Sequence, residues 1–265
     1  MTGKVVLITG ASSGIGRACA TRLTDNGQTV IGASRRVNTD VAWRTVQMDV
    51  DDDASVTAGI EQLIAELGGI DAVVTCAGWG LAGAIEQTSI ADAHAQLETN
   101  FFGTVRVVQA ALPSLRARHG RVIAISSIGG LIGVPFQAYY SASKFALEGW
   151  AEALAWEVKP HGVHVTLVEP GNFRTDFTQS RRSVLVTGDD PYRQAREKAI
   201  GIMERDELNG ADPSAVAVCV EKVLDAQRPP RRVTVGPLGE RIGPLAKRLL
   251  PARVFESASA SSLGV

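Results

Sequence analysis

Tyr140 and Lys144 stand four residues apart in the run Tyr140-Ser-Ala-Ser-Lys144, and Ser127 precedes them just past an apolar run at 122–126. Side chains at i and i+4 share one helical face, so the phenol and the ammonium are predicted to be neighbours. A phenol titrates near pH 10, and work as a general acid or base near neutrality requires a shift of roughly 3 units, about 4 kcal/mol. One positive charge about 4 Å away, at an effective dielectric near 20, supplies about that much. The Ser127 hydroxyl, at a strand end, could hydrogen-bond the same substrate oxygen. Such a pair also arises by chance, so the elements around it decide its meaning.

Those elements begin with a β-branched run at 4–9, read as a buried strand. It flows into Gly10-Ala-Ser12-Ser13-Gly14-Ile15-Gly16 and then into a helix closed by Gly27. Strand, glycine turn, helix is the arrangement in which backbone N–H groups cradle a phosphate. The spacing G-x-x-x-G-x-G is neither the G-x-G-x-x-G fingerprint nor a Walker A loop, and a plain tight turn is the bland alternative. A second strand at 29–33 ends in Ser34-Arg35-Arg36. An acidic residue at such a strand end would hold a ribose 2′-hydroxyl; here two arginines stand instead, suited to a 2′-phosphate. NADP(H) is therefore expected over NAD(H), the alternative being a solvated basic loop.

Further strands are expected at 44–48, 71–76, 122–126, 163–168 and 232–235. Helices are expected at 53–67, 90–112, 140–160, 191–206 and 215–226. Asn100 falls mid-helix, either tolerated on a surface or holding a water in a helical bend. Alternation of strands and helices predicts one doubly wound α/β domain with helices on both faces of a parallel sheet. Residues 1–236 would form it, with 172–210 as a substrate-covering lid. Residues 237–265 would be an amphipathic extension: Leu238, Ile242, Leu245 and Leu249 fall at helical spacing among Arg241, Lys247 and Arg248, interrupted by Pro244. It is expected to fold onto its own domain or a sister subunit, with a membrane surface as the lesser reading. Residues 257–265 are expected to be mobile.

The chain has 265 residues, 45% apolar and 21% charged, the composition of a soluble globular protein. A net charge of −1 gives no electrostatic reason to expect nucleic acid or an anionic membrane. Three distant cysteines (Cys19, Cys76, Cys219) imply no disulfide framework. With no signal peptide or membrane-span pattern in view, a cytoplasmic protein is expected. His94, His119, His161 and His164 show no ligand spacing, so no metal is expected, and a Ser/His/Asp hydrolase is poorly supported.

Taken together, these motifs resemble the short-chain dehydrogenases/reductases, over roughly residues 4–235. Thr9-Gly10-x-x-x-Gly14-x-Gly16 is similar to that family's cofactor turn, Asp49-Val50 to its adenine contact, and Ala77-Gly78 to the end of its Asn-Asn-Ala-Gly segment. Asn100, Ser127 and the Tyr140/Lys144 pair match its catalytic residues, and Pro170-Gly171-x-x-x-Thr175 its nicotinamide segment. The resemblance implies a seven-stranded Rossmann sheet of order 3-2-1-4-5-6-7. It also implies hydride transfer between nicotinamide and a carbonyl or secondary alcohol, and a homodimer or homotetramer built on the helices carrying Asn100 and Tyr140. Tyr140 would move the proton, Ser127 polarise the oxygen, Lys144 lower the tyrosine pKa and bind the nicotinamide ribose, and Asn100 hold a relay water. Thr75-Cys76 departs from the pattern, replacing two asparagines, which implies a weakened side-chain network there.

Trp79, Leu81, Ile128, Val134, Phe136, Phe173 and Phe177 near the carboxyl edge suggest an apolar pocket and a small lipophilic ketone or alcohol. The run around Tyr140 and the extension are similar to the hydroxysteroid- and retinol-dehydrogenase-like branch. An acyl-carrier-protein ketoreductase and a non-catalytic NADP(H)-binding regulator are the alternatives.

Overall fold

The computed structural model describes residues 3–37 and 39–264. Among these the strands are β1 (Val5–Thr9), β2 (Thr29–Ser34), β3 (Arg44–Gln47), β4 (Ala72–Thr75), β5 (Leu81–Ala82), β6 (Arg121–Ile125), β7 (His164–Pro170), β8 (Arg182–Ser183) and β9 (Arg232–Val235). Helices are α1 (Gly14–Asp25), α2 (Asp53–Leu67), α3 (Ile90–Leu97), α4 (Gly103–Ala117), α5 (Ala138–Glu157), α6 (Phe177–Ser180), α7 (Arg193–Leu208), α8 (Ser214–Asp225), α9 (Leu238–Leu249) and α10 (Ala252–Leu263).

Seven strands form one sheet in the order β3-β2-β1-β4-β6-β7-β9, every pair parallel. Parallel strands covered on both faces must be apolar at every position rather than at alternate ones. The register shows why. Leu7, Val73 and Val122 point into one core with Ile60, Leu63 and Leu115 from α2 and α4, while Val6, Ile8, Val74 and Ile123 point into the other with Leu23 and Val220 from α1 and α8. All carboxyl ends therefore open on one edge, where ligands bind in such sheets.

Three expectations are corrected. The segment at 90–112 is not one helix: α3 and α4 are joined by a π-helical turn, Glu98–Phe102, which carries Asn100. Pro244 does not interrupt the tail, because α9 runs through it. Residues expected to be mobile at 257–263 lie instead in α10. A feature not foreseen is the short parallel pair β5–β8, which ties residues 182–183 to the loop after β4.

Candidate active site

A cavity of about 910 Å³ lies along the carboxyl edge, running from the glycine turn past Ser127, Tyr140 and Lys144 to α7 and α10. At its β1 end Gly10 has φ +66°, and a Cβ there would sit 2.9 Å from the Ala77 nitrogen. A Cβ on Gly16 would lie 2.3 Å from the Gly10 carbonyl oxygen, so only glycine lets α1 begin this close to the turn. Ser13 caps α1 without a side-chain hydrogen bond, and no acid occupies the first turn. The N–H groups there face the cavity mouth unchallenged by a carboxylate, and they fit the phosphates of a dinucleotide.

Arg35 and Arg36 follow β2 as exposed side chains on the wall that also holds Asp49, Val50 and Asp51. Burial raises the Asp51 carboxyl above the ordinary range, while the Thr99 hydroxyl and Arg35 pull it down. Ala77 and Gly78 line the opposite wall, the Thr9 hydroxyl accepting the N–H groups of Cys76 (3.1 Å) and Ala77 (3.2 Å). The buried Thr75 hydroxyl has no hydrogen-bond partner among the described residues.

α5 starts just before Tyr140, and its first turns bring Tyr140 and Lys144 onto the cavity. Ser127 caps a short turn after β6, its hydroxyl accepting the Gly129 N–H at 3.0 Å. The buried Lys144 ammonium donates to the Ile125 carbonyl at 2.9 Å, and burial pulls its pKa down to about 8. Here the structure departs from the spacing argument. The phenol of Tyr140 is held above its ordinary value, first by burial and next by Glu207, against a lowering hydrogen bond to Ser127 and the Arg181 charge. Lys144 is aimed at the strand-end carbonyl instead of the phenol, so desolvation outweighs the expected charge effect.

Asn100 is fully buried, accepting the Trp79 N–H (3.0 Å) and donating to the Trp79 carbonyl (3.0 Å) and the Ser143 hydroxyl (3.1 Å). Both amide hydrogens are thus spent on bracing. A place in a proton relay would have to run through a remaining oxygen lone pair or the main-chain carbonyl.

Pro170, Gly171 and Thr175 line the cavity as expected, and Thr175 lies against Gly14, closing the site between β1 and β7. Trp79, Ile128, Val134, Phe173 and Phe177 also line it; Phe136 and Leu81 do not. Leu81 is buried in β5, and Phe136 adopts φ +59° with its carbonyl accepting the Gly83 N–H. The sequence reading missed Met203, Asp206 and Glu207 from α7, and Phe255 and Leu263 from α10, because only tertiary folding brings these distant helices to the edge. The Phe177 ring lies 5.6 Å from that of Tyr140, and Arg181, ion-paired to Glu207, stacks 5.8 Å from Phe177.

The sequence pattern described as short chain dehydrogenase matches residues 4–185, more than half of the chain. The chain belongs to the short-chain dehydrogenase family. Among relatives, this short-chain dehydrogenase is 40% identical to a 3-ketodihydrosphingosine reductase of Bacteroides thetaiotaomicron, covering 97% of each chain. It is 34% identical to retinol dehydrogenase 8 of Bos taurus, over 86% of this chain and 80% of that one. A solved short-chain dehydrogenase from Streptomyces avermitilis superposes with a TM-score of 0.82 at 32% identity, over 98% of both chains. The dehydrogenase is thus an oxidoreductase of a family acting on CH–OH and C=O groups, and its sheet order is the one expected.

Proposed function

We propose that this short-chain dehydrogenase is an NADP(H)-dependent carbonyl reductase for a lipophilic ketone, with Tyr140 as the proton donor. The observation that carries the reading is the meeting of Ser127, Tyr140 and Lys144 with the glycine turn and Arg35/Arg36 in one cavity. Gly10, Ser12, Ser13, Gly14, Ile15 and Gly16 would hold the pyrophosphate, Arg35 and Arg36 the 2′-phosphate. Asp49 and Val50 would meet the adenine, and Ala77, Gly78, Pro170, Gly171 and Thr175 the remainder. When bound, the nicotinamide supplies the hydride. The chain supplies the rest.

Ser127 and the Tyr140 hydroxyl would hold the substrate oxygen together. A phenol whose pKa is raised stays protonated at neutral pH, which suits donation to the alkoxide that develops during reduction. Lys144 remains cationic below about pH 8 and would bind the nicotinamide ribose while stabilising the phenolate left behind. Asn100 would hold the β4 loop and α5 in register, so that both walls keep their spacing. Residues 172–210, whose ends meet in a bridge between Phe173 and Ala211, would cover the substrate.

An apolar lining of Trp79, Ile128, Val134, Phe173 and Phe177, extended by Met203 and Phe255, suits a long hydrocarbon chain. Together with the 3-ketodihydrosphingosine named for one relative, it favours a long-chain ketone. The test is consumption of NADPH with a panel of long-chain and cyclic ketones, run beside NADH and Tyr140→Phe. Turnover with NADPH that survives in Tyr140→Phe, or none with any ketone, would overturn the reading.

A further inference from the structure

α9 is mounted with its polar side inward. Glu240 reaches the main chain and side chain of Asn172, and the Lys247 ammonium donates to the Leu131 carbonyl at 2.6 Å while lying 5.0 Å from the Phe145 ring. Gly243, on the same side, packs near Ile132. The opposite side is Leu238, Ile242, Leu245 and Leu249, exposed by 69%, 49%, 56% and 76%. A helix on a globular protein ordinarily does the reverse, turning its apolar stripe to the core. This stripe spans 11 steps of about 1.5 Å, roughly 16 Å, and the apolar side chains Leu250 and Val254 continue the exposed surface into the start of α10.

The charge around it is one-sided. Within α9 the sole carboxylate is Glu240, which is engaged with Asn172, whereas Arg241 and Arg248 are exposed; at the start of α10 the exposed Arg253 is followed by the exposed Glu256. Arg241 and Arg248 fall on one flank of the leucine stripe at helical spacing. We propose that the outward face of α9 docks on an anionic lipid surface, the leucines entering the acyl boundary and the arginines meeting the headgroups. A second copy of the chain fits less well. Antiparallel packing of one α9 on another brings the two Arg241/Arg248 rows to the same side, with no carboxylate between them. α10, the next helix, contributes Phe255 and Leu263 to the cavity, so the docked surface continues into the cavity wall. No helix among the described residues is long and apolar enough to cross a membrane, so the attachment is peripheral.

The test is co-sedimentation of the full chain with vesicles of phosphatidylcholine containing about one third phosphatidylglycerol, an anionic surface, beside pure phosphatidylcholine vesicles. Sedimentation velocity of the free protein runs alongside. Expected is binding to the anionic vesicles that high salt weakens. Arg241→Gln/Arg248→Gln should lower it by about fivefold per arginine. Ile242→Ser/Leu249→Ser should lower it by more than tenfold, with NADPH turnover in detergent-free buffer retained, because both side chains face solvent. Absent binding, or binding undiminished by the serine pair, overturns the proposal. So does an oligomer that the serine pair dissociates, which would give the stripe to a second copy. Because the readout is vesicle binding, its failure is separate from failure of the proposed reaction.

Discussion

Glu240 accepts two hydrogen bonds from one residue, Asn172, at 2.9 Å from its main-chain nitrogen and 2.7 Å from its side chain. The partner follows Pro170-Gly171 directly, so a helix from the far end of the chain fastens the segment proposed to hold the nicotinamide. Hydrogen bonds to a charged group contribute about 1.5–3 kcal/mol when well formed. Glu240→Ala is expected to lower stability by about 1–2 kcal/mol after solvent screening of this half-buried site. It should also raise the Kd for NADPH several-fold. Thermal unfolding and a fluorescence titration check both, and an unchanged Kd would leave Glu240 with a purely structural role.

Lys144 is a buried cation, and that costs stability. Its folded pKa of about 8 lies below the unfolded value, so between the two the unfolded chain binds more protons and stability rises with pH. Below about pH 8 the whole cost is present. Lys144→Met should therefore stabilise the protein at pH 7, by about 1–2 kcal/mol once the orphaned Ile125 carbonyl is counted. The gain should shrink as pH rises past 8 toward 10.5, while ketone reduction falls by at least a hundredfold. A destabilised variant at pH 7 would contradict this account of the site.

The raised Tyr140 pKa makes the two reaction directions respond differently to pH. On the proposed mechanism reduction uses the phenol and should hold steady until the pH approaches about 8, the pKa of Lys144. Alcohol oxidation needs the phenolate and should climb with pH over the same range. Parallel profiles of kcat/KM in both directions decide it; identical profiles would place the proton on another group.

Arg35→Ser/Arg36→Ser is expected to raise the KM for NADPH tenfold to a hundredfold per well-formed contact and to leave that for NADH nearly unchanged. Equal losses with both cofactors would return these arginines to the status of a basic loop.

Away from the cavity, Arg232 is shared by Glu148, Glu152 and Glu169, and Thr234 donates to Glu169 at 2.8 Å. Burial raises the Glu148 pKa and Arg232 restrains it. Without the arginine the folded pKa climbs further above the unfolded one, so the native state favours protons and loses stability as pH rises. Arg232→Gln should cost about 1–3 kcal/mol at pH 8, less than a fully buried pair because Arg232 is partly solvated, and distinctly less at pH 5. Chemical denaturation at both pH values tests the sign.

The sheet was legible because parallel strands buried on both faces must be continuously apolar, and the runs 5–8 and 122–125 meet that condition by themselves. The glycine turn was legible for a similar reason, since the closeness of Gly16 to the Gly10 carbonyl excludes every other residue. Tyr140 and Lys144 could be placed on one side of a helix by counting. Where the Lys144 ammonium points could not, because the Ile125 carbonyl that captures it belongs to a strand nineteen positions earlier. The π-turn at Asn100 was hidden too: its stabilising contacts, Trp79 and Ser143, come from other elements and leave no mark on local propensity. Phe136 looked like pocket lining by type alone, yet its φ of +59° belongs to a turn that spends the residue on chain direction.

The bridge between Phe173 and Ala211 fixes the two ends of the segment proposed to cover the substrate side by side, with Ala211 donating to the Asn172 carbonyl and Arg174 donating to the Ala211 carbonyl. The seven-stranded sheet takes no strand from between those stitches, and lengthening a closed loop costs only about 0.6 kcal/mol per doubling. On the proposed reading, a different segment between the same two anchors would change what the enzyme accepts while Tyr140 and the glycine turn stay in place.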